Sequence, residues 1–334
     1  MNARILLALC LLLALAAPSG AQDLPVSGAE EVRQAVGAMD ENEVRAEALM
    51  PVPSPEPQAA APAPDPAWEM LLGGLEADGL PRAELEALFS RPEVRFDPAY
   101  MGKKLRTLYK TKYLPRPPVQ PGPHKTIWET WLTPANRAEI AAFMKANAKT
   151  LAAAEKKYGL PRQVLVAILM VETKLGKYCG ERPALTVLAS MAATRDYAVV
   201  SGYLKEFSPT PAQLDWLKMR QAQKADWAYD ELKAFLELYL ANHSDPLLVP
   251  GSIYGAIGLC QFMPTNALKL GVDGNRDGKL DLFAPADAIH SAANYLKNAG
   301  WRKGLNHNGQ MRVIMRYNHD RTYAGTVLAI AKRI

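Results

Sequence analysis

The residue in this chain best placed to do chemistry is Glu172, which closes the apolar run Val164-Leu-Val-Ala-Ile-Leu-Met-Val171. A helix apolar on every side is a buried helix, since no face of it gains from meeting water. Gly159-Leu160-Pro161 suits a helix start with Pro161 near the first helical position, and Gly176 suits a stop just past the end. Glu172 is therefore expected near the C-terminal end of a buried helix. Desolvation and the negative end of the helix dipole both disfavour a carboxylate there. A carboxyl group that keeps its proton near neutral pH is what general-acid chemistry on a glycosidic bond requires. The competing reading is an ordinary glutamate that emerges at the rim of the core and points into water.

Two further constellations stand downstream. Ser252 to Pro264 packs Gly255 and Gly258, a lone Gln261 and a terminal proline into a short stretch. Glycines let backbone approach a ligand closely, and the amide of Gln261 can both donate to and accept from a sugar. By itself this is a loop leading into a helix, with no assigned job. The second, Asp273-Gly-Asn275-Arg-Asp277-Gly278-Lys279, has the spacing of an EF-hand calcium loop. Oxygen ligands fall at positions 1, 3 and 5, glycine at 6 and the backbone carbonyl of Lys279 at 7. Position 12 is Ala284, so the usual glutamate is missing, and Asp287 is the best substitute. The alternative is a polar Asn/Asp/Gly turn without metal.

In order along the chain, Val171-Glu172-Thr173-Lys174-Leu175-Gly176, the Gly255 to Pro264 stretch, Ala293-Asn294-Tyr295 and Arg316-Tyr317-Asn318-His319 resemble the motifs of lytic murein transglycosylases, the B-type family most closely. The resemblance extends over most of residues 75–334, including Tyr158-Gly159-Leu160-Pro161, whereas residues 195–222 do not match and read as an insertion. It implies a mostly α fold: a lysozyme-like α-helical core with an additional helical subdomain and an EF-hand-like loop. It also implies cleavage of peptidoglycan glycan strands between N-acetylmuramic acid and N-acetylglucosamine. Glu172 matches the family's single catalytic glutamate. The implied role is to protonate the glycosidic oxygen and then, as carboxylate, to take the proton of the muramoyl C6 hydroxyl. That hydroxyl closes onto C1 and leaves a 1,6-anhydro end without water, and the substrate's N-acetyl group is thought to assist. No other Asp or Glu lies in a comparably apolar segment, whereas a two-carboxylate hydrolase needs a partner at ~5–9.5 Å.

The same resemblance carries Ser252, Gln261, Tyr295, Tyr317 and Asn318 onto the glycan groove, with Tyr323 as a further candidate. Aromatic rings suit sugar faces and polar groups fix their orientation; for each tyrosine the alternative is core packing with a tethered hydroxyl. The family's elongated acidic loop, closed by an Asp such as Asp287, implies structural Ca²⁺ held by Asp273, Asn275, Asp277, Lys279 and Asp287, with no cofactor for catalysis. One departure matters: Gln223-Lys224 stand where the family commonly has two arginines, which puts the contacts of those arginines in doubt. A water-using muramidase of the same fold and a non-catalytic wall-binding scaffold remain as competing functions.

The elements that must position these residues read as helices. Arg137 to Tyr158 reads as one long amphipathic helix opened by Thr133-Pro134, and Trp216 to Leu240, Pro285 to Ala299 and Tyr323 to Ile334 read similarly. Strand-like alternation is scarce, leaving room for a small β element. Proline clusters at 115–123 and 209–211 mark loops. Residues 1–21 read as a secretory signal, with Arg4, the apolar Ile5 to Ala17 and a small-residue cleavage site. Thirteen apolar residues are too few to span a bilayer, which takes ~20, and Leu9 precedes Cys10 where a lipoprotein signal would carry a small residue. The expected address is the periplasm. Residues 22–66, acidic and then rich in proline and alanine, read as a disordered tether, and the catalytic region occupies 67–334 with core motifs in 158–334.

Charge is uneven. Residues 22–70 carry ten acids against Arg33 and Arg45, so that with Arg4 set aside a total of +5 leaves +12 on residues 71–334. Such a basic body favours polyanionic partners. Nucleic acid is an unsuitable target for an exported chain without a binding motif, and peptidoglycan fits the compartment. With Cys10 lost in the signal, Cys179 and Cys260 remain, compatible with one disulfide or with two buried thiols. Their closeness to the Glu172 and Gln261 motifs favours the bridge.

Overall fold

The computed structural model describes residues 66–115 and 127–334. The export signal and the tether lie outside the described residues, Pro66 apart. From Trp68 onward the chain is built into the core. Helices α1 (Pro66–Ala77) and α2 (Arg82–Phe89) bury Trp68, Leu72, Leu75, Leu85 and Phe89, with the Trp68 and Phe89 rings edge to face at 5.2 Å. Helix α3 (Ala99–Tyr113) follows, burying Met101, Leu105 and Leu108 at helical spacing.

Helix α4 (Ile127–Trp131) leads through Thr133 into α5 (Pro134–Ala146), α6 (Ala148–Tyr158) and α7 (Arg162–Thr173). The Thr133 hydroxyl accepts from Asn136 N–H, the cap expected of a threonine before a proline. The single helix expected over 137–158 is two, divided at Asn147. There φ is −106° and the side-chain amide donates to the Phe143 carbonyl, the local competition with helix that asparagine favours.

Helix α8 (Ala184–Ala193) packs against α9 (Pro211–Ala241), which a full capping box between Thr210 and Gln213 starts earlier than the expected Trp216. The unmatched residues 195–222 form two 3₁₀ turns, Tyr197–Val199 and Ser201–Phe207, and the opening turns of α9. Helices α10 (Pro264–Leu270), α11 (Pro285–Asn298), α12 (His307–Tyr317) and α13 (Arg321–Ala331) complete the chain. The β element is small: β1 (Arg182–Pro183) pairs antiparallel with β2 (Pro250–Gly251), and isolated bridges join Gly251 to Ile257 and Ile257 to Phe262. The fold is thus mostly α, as expected. At its centre α7 is buried from Val164 to Thr173 and packs on α13, α11, α6 and α5.

Candidate active site

Glu172 lies on the last full turn of α7 and is 0% exposed. Its Oε1 accepts a 2.6 Å hydrogen bond from the Tyr323 hydroxyl on α13. Burial raises its pKa to about 8, and the Tyr323 hydrogen bond, which favours the anion, opposes that rise only in part. The reading of a glutamate directed into water is excluded. A buried carboxyl group protonated at neutral pH and held by a phenol can donate a proton to a bound leaving group.

The end of α7 is more constrained than a glycine stop suggests. The helix finishes at Thr173, and Lys174 (φ 48°), Leu175 (φ 62°) and Gly176 (φ 97°) follow in left-handed conformations. Two of these are not glycine, a strained arrangement that persists where surroundings over-determine it. Thr173 supplies part of that constraint: its hydroxyl donates to the Leu259 carbonyl at 3.0 Å and accepts from Gly176 N–H at 3.0 Å. The sequence reading passed over Thr173, although a threonine beside the critical glutamate at a helix end is a type suited to local backbone bonding.

The Ser252 to Pro264 loop is stitched onto this end. Gln261, at φ 48°, sends its side-chain N–H to the carbonyls of Cys179 (3.3 Å) and Gly258 (3.0 Å). Ser252 Oγ accepts from the N–H groups of Tyr254 and Ala256, closing the first turn. Gly258 is required: at φ 71° a Cβ would sit 2.5 Å from the Leu282 carbonyl oxygen, whose neighbour bond is Leu259 N–H to Leu282 O. Tyr317 donates its hydroxyl to the Cys260 carbonyl, and Tyr295 donates to the Arg316 carbonyl at 2.6 Å. Their rings meet edge to face at 4.9 Å, against Phe262. In this state both phenols are tethered to backbone, with the Tyr317 ring buried and the Tyr295 ring partly so. Asn318, at the turn between α12 and α13, is 0% exposed, and neither polar atom of its side chain has a hydrogen-bond partner among the described residues.

The expected disulfide is not formed. Cys179 and Cys260 are both free thiols; Cys179 Sγ donates to the Gly176 carbonyl and Cys260 is buried under the Tyr317 contact. Burial pushes Cys179 up to about 11 and Cys260 higher still, so neither is a thiolate at neutral pH.

The acidic loop sits between α10 and α11, a helix–loop–helix arrangement. Asp273 accepts from the N–H groups of Arg276, Asp277 and Gly278; Asp277 accepts from Asn275 Nδ2 and from the Lys279 N–H. Buried Asp287 reaches back to accept from Gly274 and Asp281 N–H, which ties the start of α11 to the loop. The donors are hard oxygens of the kind Ca²⁺ takes. Burial first, and the charge of Asp273 in addition, raise the pKa of Asp287, a penalty that a cation would relieve. Among the described residues, however, no three His, Cys, Asp or Glu side chains converge to hold a metal. The loop is folded on its own N–H groups.

A further feature escaped the sequence reading. Lys104 on α3 is buried with its Nζ 3.8 Å from the Tyr254 ring centre. Burial, then Lys224 and Arg220, lower its pKa. Where the arginine pair was missed at 223–224, this chain therefore gathers cations from α3 and α9.

Residues 65–311 match the family model described as Transglycosylase SLT domain. The chain is 32% identical over 174 residues to Membrane-bound lytic murein transglycosylase B of Escherichia coli, a match covering 52% of this chain and 41% of that protein, under half its length. The fold is similar to that of the E. coli lytic transglycosylase SLT35 in complex with calcium, with a TM-score of 0.60, 22% identity and coverage of 80% of this chain and 92% of that one. It is also similar to SltB3 from Pseudomonas aeruginosa in complex with NAG-anhNAM-pentapeptide, with a TM-score of 0.57, 20% identity and coverage of 79% and 77%. At these identities the structural likeness is one of fold.

Proposed function

The chain belongs to the Transglycosylase SLT domain family, and from that premise we propose that it is a peptidoglycan lytic transglycosylase with Glu172 as its one general acid and base. The observation that carries the reading is the full burial of Glu172 at the end of α7 with Oε1 held by the Tyr323 hydroxyl, an environment that favours the protonated acid. The carboxylic acid gives this proton to the glycosidic oxygen as the bond to muramoyl C1 breaks, and the bonding pair leaves with that oxygen. The carboxylate so formed takes the proton of the muramoyl C6 hydroxyl, whose oxygen bonds to C1. The products are a 1,6-anhydro end and a free hydroxyl, with the acid restored and no water consumed. Stacking against Tyr295 and Tyr317 and polar contacts from Ser252, Gln261 and Asn318 would orient the sugars. The buried amide of Asn318 supports this, because a substrate substituent would supply the partners it lacks.

Mass analysis of fragments released from purified sacculi tests the assignment. Anhydro ends are expected from the parent protein and no fragments from Glu172→Gln, which should still bind. Reducing ends with an added water would identify a muramidase, and undiminished release by Glu172→Gln would remove Glu172 from the mechanism.

For the acidic loop, we infer a structural Ca²⁺ held by Asp273, Asn275, Asp277, Asp287 and the Lys279 carbonyl, outside the reaction. Added calcium should raise the melting temperature and Asp277→Asn should blunt that rise; no change in the parent would dismiss the ion. Export to the periplasm is supported by Arg4 and the apolar Ile5 to Ala17, and among the described residues no helix is long and apolar enough to cross a membrane.

A further inference from the structure

A cavity of about 520 Å³ between α6, the acidic loop and α11 has no part in the chemistry above, and none of the residues assigned to the groove lines it. Three basic side chains border it: Lys156 and Lys157 from α6 and Arg276 from the loop. None of them forms a salt bridge among the described residues. The one acid in the wall is Asp273, and both of its oxygens are occupied by the N–H groups of Arg276, Asp277 and Gly278. The lining is therefore cationic, with its only negative charge turned into the loop.

Beneath these cations lies His290, 8% exposed, which also lines the cavity. Its Nδ1 is buried without a hydrogen-bond partner. The ring of Tyr158 packs edge to face on it at 5.8 Å, and the Tyr158 hydroxyl is likewise buried and unpartnered. Two orphaned polar atoms on neighbouring rings, one of them in a residue that lines a cationic hollow, are an uncommon cost for a native core. The volume falls within the ~300–1,000 Å³ of small-molecule sites and well above what one ion fills. Lysine ammonium groups and a guanidinium fork are the donors that recognise oxyanions.

We propose that this cavity binds a carboxylate or phosphate group, gripped by Lys156, Lys157 and Arg276 above His290. The group arrives either on a carboxylate-bearing peptide of the wall polymer or as free phosphate. Because His290 and Tyr295 stand on opposite parts of α11, a ligand here would lie outside the crevice of Glu172, as an accessory hold.

The test is calorimetric titration of the full-length protein in metal-free buffer at low ionic strength, with inorganic phosphate as probe and a synthetic stem tetrapeptide as competitor. Saturable phosphate binding is expected, weakened at least tenfold in Lys156→Ala/Lys157→Ala with an unchanged melting temperature. Displacement of phosphate by the peptide assigns the site to the wall polymer; failure to displace assigns it to free phosphate. Lys205→Ala/Lys218→Ala, which removes two exposed lysines elsewhere, should bind as the parent does. No saturable binding up to ~10 mM phosphate, a level at which a built oxyanion site should fill, would overturn the proposal. So would equal weakening by both lysine pairs, since net charge alone would then explain it. The readout is binding, so it stands or falls separately from the lyase assignment.

Discussion

Under the proposed mechanism the Glu172–Tyr323 pair sets the alkaline limb of the pH profile. With a carboxyl group that titrates at about 8, kcat/KM should hold through neutrality and decline as pH rises past that value, because the proton donor is lost. A profile that instead falls on acidification through the ordinary carboxylate range would reject the donor role. Tyr323→Phe removes the bond that favours the anion, so the limb should move to higher pH, while looser positioning costs roughly tenfold to a hundredfold in kcat. Stability has its own sign. An acid whose folded value is raised binds more protons folded than unfolded, so Glu172 costs stability as pH climbs from the unfolded range near 4.5 to about 8. Glu172→Gln should therefore be more stable than the parent at pH 7–8, by about 1–3 kcal/mol, and as stable as the parent near pH 4, as melting at the two pH values would show. The apolar run before Glu172 made its protonation legible in the sequence, whereas the partner 151 residues away was not. The tethering of the Tyr295 and Tyr317 hydroxyls stood in the sequence as the alternative to a groove role, but the carbonyls that hold them, of Arg316 and Cys260, are brought near only by the fold.

Between elements, the decisive joint is the seam from the end of α7 to the Gly255 to Pro264 loop. Thr173 spans it with one hydroxyl, and Gln261 spans it again through the Cys179 carbonyl. Thr173→Val keeps the shape and deletes the hydroxyl's bonds to the Leu169 and Leu259 carbonyls and to Gly176 N–H, leaving the buried Leu259 carbonyl short of a donor. A loss of about 1–3 kcal/mol is expected, with Thr173→Ser recovering most of it; equal melting temperatures for Val and Ser would show that the seam is held by packing alone. Helical periodicity identified α9, α11 and α13 because each carries a long apolar face. It missed the break at Asn147, where one side-chain bond to Phe143 outweighs the alanine-rich context, and the stop at Thr173, where tertiary bonds force non-glycine residues into left-handed backbone. Free cysteines in place of a bridge have the same origin. Proximity in the fold was legible from the motifs, but the direction of the Cys179 thiol, toward Gly176, was not.

Across the whole molecule, charge is the property the sequence states most directly. Residues 71–334 carry +12 while residues 22–70 carry −8. Some of that positive charge is gathered, by Lys104 with Lys224 and Arg220 near Tyr254, and by Lys156, Lys157 and Arg276 around the cavity behind α11. An acidic polymer held mainly by such a surface is held by screened forces. The Debye length shrinks from about 10 Å at 0.1 M salt to about 3 Å at 1 M, so exposed lysines lose their reach while stacking on Tyr295 and Tyr317 does not. Glu172→Gln, which holds substrate without cutting it under the proposed mechanism, separates the two contributions. Its retention on pelleted sacculi should fall steeply between ~0.05 and ~0.5 M salt and then level off at a residue of salt-insensitive binding. Retention that never changes with salt would place recognition in the aromatic wall alone, and retention that vanishes would leave the Tyr295–Tyr317 face without a role in holding the strand.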